Sequence, residues 1–372
     1  MQQIQELLQN ELTCEVRCDA VTRRIYSTDA SIYEVEPLAV CIPRSKADVV
    51  RTLELSAQHS VPIIARGAAT GIAGGCLGKG VVLDTSCHLN RVLHIDYAKQ
   101  TAALQPGVVA DRLNALLSPH GLYFAPEIST SNRATLGGMV AANAAGSNSL
   151  EVGKIQDHIV EVELALWNGE LVRFSTVDAA TWQQKLTLQS TEGNIYRHLE
   201  QIKTEFADDI KRDFPKTPRR ASGYSLDALV DTPNINVAAL ICGSEGTLGI
   251  ITELTVRLCP VAKQKTLVVV GHNDLESALT SSHSCQYLEP ATLEMIDDKI
   301  IAAGRKSPAM HAKLDWLEGC PSALIMWEFA DASKAHTLCR LAKEHKSVLF
   351  AKIINDPEQV KHVWELRKAG LG

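Results

Sequence analysis

The sequence predicts an α+β protein with two lobes followed by part of a third α+β region. Three observations lead to this fold class: short apolar strands bounded by glycine turns, amphipathic helices between them, and a length of 372 residues. A chain of this length usually divides into more than one core. The content of 45% hydrophobic and 22% charged residues is typical of an ordinary globular protein.

An N-terminal helical segment, residues 1–35, precedes the first lobe. Its apolar residues recur at helical spacing: Ile4, Leu7, Leu8 and Leu12. The first lobe is expected over residues 36 to about 100, in the order strand 38–42, helix from Ser45 to about His59, strand 61–65, glycine loop and strand 80–84. This order is typical of a nucleotide site at the carboxyl end of a strand.

The glycine loop reads Arg66-Gly-Ala-Ala-Thr-Gly-Ile-Ala-Gly-Gly75. It offers peptide N–H groups, one hydroxyl and one guanidinium. Small residues let the backbone approach an anion closely, and successive N–H groups can form a concave donor site. The loop therefore suits a phosphate, although an ordinary glycine-rich turn is the simpler alternative.

The second lobe is expected over residues 101–260. Its predicted elements are a helix at 108–117 that ends at Gly121, a strand at 159–167, a hairpin turn at Asn168-Gly169 with a strand at 171–174, helices within 178–235, and a strand, glycine turn and strand over 237–257. The basic stretch 211–220 is typical of a solvated surface; alternatively, Arg219, Arg220 and Tyr224 face an anionic substrate.

Residues 134–146 are rich in glycine and alanine, which are too small to fill a core alone. A flat ligand packed against the backbone would explain this composition, and so would close helix packing.

A third region follows Pro260, with strands at 266–270 and 323–329 and helices around 274–286 and 333–345. The chain stops within a predicted helix, and we therefore expect a fragment.

Composition excludes several functional classes. Lys and Arg total 37 against 43 Asp and Glu, a net charge of −6, so no basic field favours nucleic acid. No run of about 18 apolar residues predicts a membrane span, and the start lacks a signal-peptide pattern. We expect a cytoplasmic protein, at most peripheral to a membrane through an electron acceptor.

The ten cysteines contain no Cys-x-x-Cys pair, which argues against zinc and iron–sulfur sites. We expect reduced, mostly buried thiols. Cys76 stands beside the glycine loop, where a small residue tolerated at a tight turn is the favoured interpretation.

Three segments in order resemble the vanillyl-alcohol oxidase and p-cresol methylhydroxylase superfamily of FAD-binding proteins. Residues 66–75 are similar to its pyrophosphate turn, residues 135–139 and 143–146 to its second FAD segment, and residues 243–251 to its third. Within the superfamily, the resemblance is to the D-lactate, glycolate and D-2-hydroxyglutarate dehydrogenases and to large FAD-linked oxidases with an iron–sulfur domain. It implies a two-lobed FAD-binding domain over 36–260 and part of a cap domain over 261–372.

The same resemblance implies a set of cofactor-binding positions. They are Arg66, Gly67, Ala68, Ala69, Thr70, Gly71, Ile72, Gly74, Pro126, Glu127, Thr135, Gly137, Gly138, Asn143, Gly146, Glu245, Gly249, Ile250 and Ile251. No histidine occurs in the loop, so the histidine–flavin bond of some relatives is not expected and FAD should be non-covalent. Ala68 and Ala69 replace glycines, which costs little at negative φ and more at positive φ.

Residues 364–367, Trp-Glu-Leu-Arg, are similar to the family's substrate-arginine helix, which makes Arg367 the candidate clamp for a substrate carboxylate. The threonine of the hydroxyglutarate enzymes would fall at Leu371, which argues against that substrate. The family's metal-binding histidines and proton-accepting histidine would lie beyond this helix, so no catalytic residue and no metal site is expected within the chain.

The resemblance implies hydride transfer from the Cα of a D-2-hydroxy acid to flavin N5. We expect FAD binding with impaired turnover, and an electron-acceptor protein or iron–sulfur domain outside this chain. Two alternatives remain: a non-catalytic FAD-binding subunit completed by a partner chain, and an NAD-dependent dehydrogenase. The second is disfavoured because no Gly-x-Gly-x-x-Gly opens a helix.

Overall fold

The computed structural model describes residues 2–217, 219–230, 232–261 and 265–369. The chain divides into two compact units. We call Met1–Pro126, Thr130–Ala145 and Lys154–Pro260 the N-terminal unit. We call Glu127–Ser129, Gly146–Gly153 and Val261–Gly372 the C-terminal unit.

The N-terminal unit contains strands and short helices in alternation. Its strands are β1 (Glu15–Arg17), β2 (Ala39–Ile42), β3 (Ile63–Arg66), β4 (Val81–Asp84), β5 (Val92–Asp96), β6 (Thr101–Leu104), β7 (Leu122–Tyr123), β8 (Ile159–Ala165), β9 (Leu171–Val177), β10 (Ile235–Asn236), β11 (Ile250–Arg257) and β12 (Cys259–Pro260). Its helices are α1 (Gln2–Glu11), α2 (Ala20–Ile25), α3 (Lys46–Gln58), α4 (Ala110–Leu117), α5 (Leu136–Ala141), α7 (Ala179–Thr187), α8 (Thr191–Glu205), α9 (Ala207–Asp213) and α10 (Ala238–Ile241); α6 (Ser149–Val152) falls in the C-terminal unit.

The first sheet carries the glycine loop. Its strand order is β1-β2-β4-β3, with β2, β4 and β3 parallel and β1 antiparallel to β2. Helix α3 begins with the predicted Ser45 cap, where Asp48 returns a hydrogen bond to the cap backbone. The predicted β-α-β-loop-β order is therefore present. Four apolar residues at 61–65 favour a buried strand, but β3 lies at the end of the strand order and its residues are only half-buried.

Two strands lie outside the predicted bounds of the lobe whose sheet they join. Residues 15–17 form β1 and pair with β2, although residues 1–35 were expected to be a separate helical segment. Strand β5 pairs with β6 in a six-stranded antiparallel sheet of order β10-β9-β8-β11-β6-β5, rather than with the first sheet. β1 pairs with a strand more than twenty residues away, which local propensity does not indicate. β5 is joined to β6 by a local hairpin, so it follows β6 into the second sheet.

The hairpin at Asn168-Gly169 is present, with Gly169 at φ 82° and β8 paired to β9.

Of the two strands predicted within residues 237–257, only the second is present, as β11. The first prediction is wrong, because residues 238–241 form the helical turn α10. The four residues of α10 are buried apolar side chains. Such a short apolar run fits a buried helical turn as well as a strand.

The C-terminal unit is an α+β layer structure around one antiparallel sheet of order β14-β15-β13-β16. Its elements are β13 (Thr266–His272), α11 (Leu275–Ser284), β14 (Thr292–Asp297), α12 (Asp298–Lys306), α13 (Pro308–His311), β15 (Ala323–Phe329), α14 (Ala332–Lys343), β16 (Val348–Ile354) and α15 (Pro357–Ala369). One core includes Met326 with Val363 and Leu366 of α15, and a second includes Trp327 with Leu338 of α14. The sequence predicted β13, β15, α11, α14 and the terminal helix but missed β14, β16, α12 and α13.

The cysteines are less buried than predicted. Four are buried, four are half-buried, and Cys87 and Cys320 are exposed. Within the described residues, no group of histidine, cysteine and acidic side chains could hold a metal ion. No described helix is long and apolar enough to cross a membrane.

Candidate functional site

The glycine loop presents backbone donors that the protein itself does not use. From Ala68 to Gly75, no N–H group donates a hydrogen bond to any residue that the structure describes. Ala69 and Gly74 have positive φ angles of 54° and 75°. Left-handed residues in such a run turn successive N–H groups toward one side, the geometry of an anion-binding nest. Ala68 has no positive φ, so Ala69 is the alanine with the strained backbone.

The Arg66 guanidinium is occupied by the N-terminal segment. Its Nη1 and Nη2 donate to the carbonyl oxygens of Tyr26 and Thr28, at 3.2 and 2.8 Å. The guanidinium also lies 5.0 Å from the centre of the Tyr26 ring. The N–H of Ala30 bonds to the carbonyl of Ala69 at 3.1 Å. Arg66 thus fixes the backbone of residues 26–30 beside the loop, a contact that the sequence did not predict.

Cys76 is tied to the same segment. Its thiol donates to Oδ2 of Asp29 at 3.4 Å. Burial raises the pKa of Cys76 to about 11, so the thiol is protonated at neutral pH. This geometry favours the interpretation of Cys76 as a small packing residue, because a thiolate is the reactive form.

The second glycine-rich segment touches the loop at Thr135. This residue precedes α5 and is 3% exposed, and its Oγ1 has no hydrogen-bond partner in the described part of the chain. A Cβ placed on Gly67 would lie 2.2 Å from that oxygen, and one on Gly138 would lie 3.3 Å from it. Glycine is therefore required at position 67 by a close approach of two segments far apart in sequence.

The third segment closes onto the other two. The N–H groups of Gly243 and Glu245 bond to the carbonyls of Val140 and Ala141 at the end of α5, at 3.1 and 3.0 Å. Glu245 has a φ of 49°, and a Cβ on Gly75 would lie 3.0 Å from its Oε2. The structure thus brings together the loop, the start and end of α5, and residues 243–246 within one unit.

Several of the predicted cofactor positions have packing roles. Gly137 lies against Pro106, where an added Cβ would approach the proline Cβ to 2.6 Å. Gly249 has a φ of 152° and packs on the carbonyl of Ala165. Ile250 and Ile251 are buried in β11, in register with β8. Close packing therefore explains these positions without a ligand.

The side chain of Asn143 is also occupied. Its Nδ2 donates to Gln156 Oε1 at 2.7 Å, and its Oδ1 accepts from the Gln156 N–H at 3.3 Å. Asn143 has a φ of 44°, a conformation that asparagine tolerates better than most residues.

The middle of the glycine loop, in contrast, is open. Ile72 is 80% exposed, and a Cβ on Gly71 would meet nothing within 4 Å. The Thr70 hydroxyl makes no hydrogen bond to a described residue.

The predicted positions around residue 126 divide between the units. Pro126 is buried in the N-terminal unit, while Glu127 and Gly146 belong to the C-terminal unit. Gly146 lies directly against the Glu127 carbonyl, because an added Cβ would be 1.3 Å from that oxygen. Glu127 itself is exposed.

The basic stretch is held by protein contacts. Arg219 donates to the carbonyl of Ala145 at 3.0 Å, and Arg220 pairs with Asp227 at 2.5 Å. The Tyr224 hydroxyl lies 2.7 Å from the Thr247 hydroxyl. Arg219 and Tyr224 therefore contact the second and third glycine-rich segments. Neither a solvated surface nor an anionic-substrate site, the two interpretations of the basic stretch, predicted these contacts.

In the C-terminal unit, Arg367 lies on α15 above the sheet. Its Nε donates to Oε2 of Glu294 on β14 at 2.8 Å; the side chains are 26% and 12% exposed. Three residues earlier, Trp364 donates from Nε1 to Oε1 of Glu328 on β15 at 3.1 Å. Leu371 lies outside the described residues.

Glu328 is the other carboxylate beneath α15. Its Oε2 accepts from the Thr292 hydroxyl at 2.9 Å. Burial raises the pKa of Glu328; the Thr292 and Trp364 hydrogen bonds and the charge of Lys265 oppose this, and the Glu127 charge adds to it. Residue types alone did not indicate Glu294 or Glu328, because each is far in sequence from its partner on α15: Glu294 from Arg367 and Glu328 from Trp364.

The residues of the N-terminal unit fit the phosphates of FAD. The loop has a run of unpartnered N–H donors, and close contact with Thr135 leaves no room for a side chain at Gly67. The buried Thr135 hydroxyl adds one more polar atom without a partner. A group rich in acceptors would satisfy these donors.

Two family models match the chain. Residues 37–175 match the FAD binding domain, and residues 261–372 match the C-terminal domain of FAD linked oxidases.

Curated relatives agree with these matches. The chain is 34% identical over 311 residues to D-2-hydroxyglutarate dehydrogenase of Pseudomonas putida, an alignment covering 82% of this chain and 31% of the relative. It is 30% identical over 279 residues to glycolate oxidase subunit GlcD of Bacillus subtilis, covering 74% of this chain and 49% of the relative. The chain thus spans about a third to a half of the length of the curated relatives it matches.

Solved structures share the fold. An alkyldihydroxyacetonephosphate synthase superposes with a TM-score of 0.70 at 17% identity, over 100% of this chain and 63% of that one. The two matched domains together span most of the chain, which belongs to the FAD-linked oxidoreductases with a FAD binding domain followed by the C-terminal domain of FAD linked oxidases.

Proposed function

We propose that this chain binds FAD non-covalently through the glycine loop and residues 135–138 and 243–246, and serves in the oxidation of a small D-2-hydroxy acid. One observation carries the proposal: three glycine-rich segments meet around backbone donors that have no acceptor among the residues that the structure describes. The names of the curated relatives support the substrate class.

The chain's own residues have separate tasks in this proposal. Backbone N–H groups of Ala68–Gly75 bind the pyrophosphate, and the Thr135 hydroxyl donates to the same cofactor. Arg66 orders residues 26–30 beside the loop through the carbonyls of Tyr26 and Thr28. FAD held by these residues would supply the two-electron acceptor for the oxidation of the hydroxy acid.

Arg367 orients the substrate in the proposal. A guanidinium binds a carboxylate through two parallel hydrogen bonds, so that both position and plane of the carboxylate are set. Replacing Arg367 by alanine removes this clamp and the charge. We expect an affinity loss of roughly a hundredfold or more, since two hydrogen bonds to a charged group are lost and each contributes about 1.5–3 kcal/mol.

The cofactor is tested first. Purified chain should show the visible flavin absorption bands, and acid precipitation should release the flavin into the supernatant. A colourless protein that gains thermal stability with NAD but not with FAD would overturn the cofactor proposal, and flavin retained in the precipitate would overturn non-covalent binding.

Substrate oxidation is tested next, with D-lactate, glycolate and D-2-hydroxyglutarate under anaerobic conditions. Bleaching of the flavin by one of them in the wild type, and not in Arg367→Ala, would support the substrate class. Equal bleaching in both proteins would contradict the role of Arg367.

A further inference from the structure

Arg367 is held by a carboxylate before any substrate is present. Only its Nε hydrogen-bonds to Glu294, at 2.8 Å. Its Nη1 and Nη2 make no hydrogen bond within the described residues. Because the guanidinium is planar with a fixed fork of donors, anchoring Nε sets the direction of the two remaining nitrogens.

The helix that carries Arg367 is anchored to the same sheet one turn earlier. Trp364 binds Glu328 on β15 at 3.1 Å, while Arg367 binds Glu294 on β14. Thr292 and Glu328 are partners in the register, and Glu294 is opposite Met326. Side chains alternate across a strand, so Thr292, Glu294, Met326 and Glu328 lie on one sheet face beneath α15. Two carboxylates therefore fix the turn of α15 that includes Arg367.

We propose that Glu294 is a positioning residue that aims the free Nη1–Nη2 edge of Arg367 at the carboxylate of the 2-hydroxy acid. The inference rests on the proposed function, since it needs Arg367 to be the carboxylate clamp. Preorganised side chains lose less entropy on binding, and a small misplacement of a reacting group costs orders of magnitude in rate. Glu294 also places a negative charge near an anionic ligand, which opposes binding by Coulomb repulsion.

These two effects of Glu294 are separated by two substitutions. Glu294→Gln keeps an oxygen acceptor for Nε and removes the repulsion, whereas Glu294→Ala removes the anchor as well. A positioning role predicts that the glutamine variant binds within about threefold of wild type and that the alanine variant loses about tenfold, the value of one charge-assisted hydrogen bond. If Glu294 only blocks Arg367, both variants bind more tightly than wild type.

The experiment uses FAD-loaded full chain and isothermal titration calorimetry with pyruvate and 2-oxoglutarate. These probes carry the carboxylate without a hydride to transfer. Arg367→Ala reports on the clamp alone. Glu289→Ala is the matched control, because Glu289 is an exposed acid of the same unit that pairs with Lys334; it should bind the probes as wild type does.

Tenfold weaker binding by Glu294→Ala with near wild-type binding by Glu294→Gln supports the proposal. Binding by Glu294→Ala that equals or exceeds wild type overturns it while the clamp stands, provided that Arg367→Ala loses binding. Equal binding by wild type and Arg367→Ala overturns the clamp and the inference together. Thermal midpoints of the same proteins are measured alongside. If both Glu294 variants have lower midpoints but bind the probes as wild type does, Glu294 has only a structural role and the proposal is overturned.

Discussion

The two units use opposite means to present their candidate binding groups. In the N-terminal unit, the donors are peptide N–H groups on an irregular loop, in which Ala69 and Gly74 have positive φ. Asn143, Glu245 and Gly246 have positive φ in the two segments that meet this loop. In the C-terminal unit, the groups are charged side chains on a regular helix and sheet, paired as Arg367 with Glu294 and Trp364 with Glu328. A backbone site is sensitive to any added Cβ, whereas a side-chain site is sensitive to the hydrogen-bonding capacity of particular residues.

The largest effect is expected at Gly67. Gly67→Ala places a Cβ 2.2 Å from Thr135 Oγ1 in the observed geometry, and overpacking of this kind costs about 1–3 kcal/mol. We expect a lower thermal midpoint and loss of FAD binding, measured by calorimetry and by flavin absorption.

Gly71→Ala is the matched control for the loss of stability in the protein without FAD, because an added Cβ there meets no protein atom within 4 Å. Adding Thr135→Ala to Gly67→Ala should recover the thermal midpoint by removing the clashing oxygen. If Gly67→Ala and Gly71→Ala have the same thermal midpoint without FAD, the close approach of Gly67 to Thr135 does not constrain the loop.

A smaller effect is expected at Glu328 in the C-terminal unit. Burial raises the pKa of Glu328 above its usual 4.5, so the folded state favours the protonated form and loses stability as the pH rises above about 4.5. Glu328→Gln keeps both hydrogen bonds without the charge. We expect stabilisation of up to about 1 kcal/mol at pH 7.5, and less at pH 4.5.

Urea unfolding at the two pH values checks the Glu328 prediction. If Glu328→Gln is instead less stable than wild type at pH 7.5, the negative charge of Glu328 itself helps to hold α15. That result would contradict the prediction.

The smallest effect is expected at Ala69. At a φ of 54°, the alanine has a left-handed conformation that costs roughly 1 kcal/mol and that glycine adopts freely. Ala69→Gly should therefore stabilise the N-terminal unit by up to about 0.5 kcal/mol, after the entropy of the added glycine is subtracted.

Ala68→Gly separates strain from flexibility. Ala68 has no positive φ, so glycine there only adds chain entropy in the unfolded state and should destabilise by about 0.5–1 kcal/mol. Equal effects of the two substitutions in thermal unfolding would contradict a strained loop.

Much of the fold was predictable because its signals are local. Ser45 and Asp48 form a capping box that starts α3, and Asn168-Gly169 forms the hairpin between β8 and β9. Strands β5, β14 and β16 were missed. The pairing of β14 and β16 depends on partners distant in sequence, whereas β5 pairs with the adjacent β6. All three strands have burial patterns that are mixed rather than strictly alternating.

The sequence by itself determined the family, since three glycine-rich segments in order carry a resemblance that composition does not. The glycine and alanine residues at 66–75 also indicate that the binding groups of the loop are peptide N–H groups rather than side chains. Only the tertiary structure decided which glycine is sterically required, because the contact of Gly67 with Thr135 joins residues far apart in the chain. It also decided the partner of Arg367: Glu294 reaches the arginine through sheet register and helix packing, neither of which a local sequence pattern encodes.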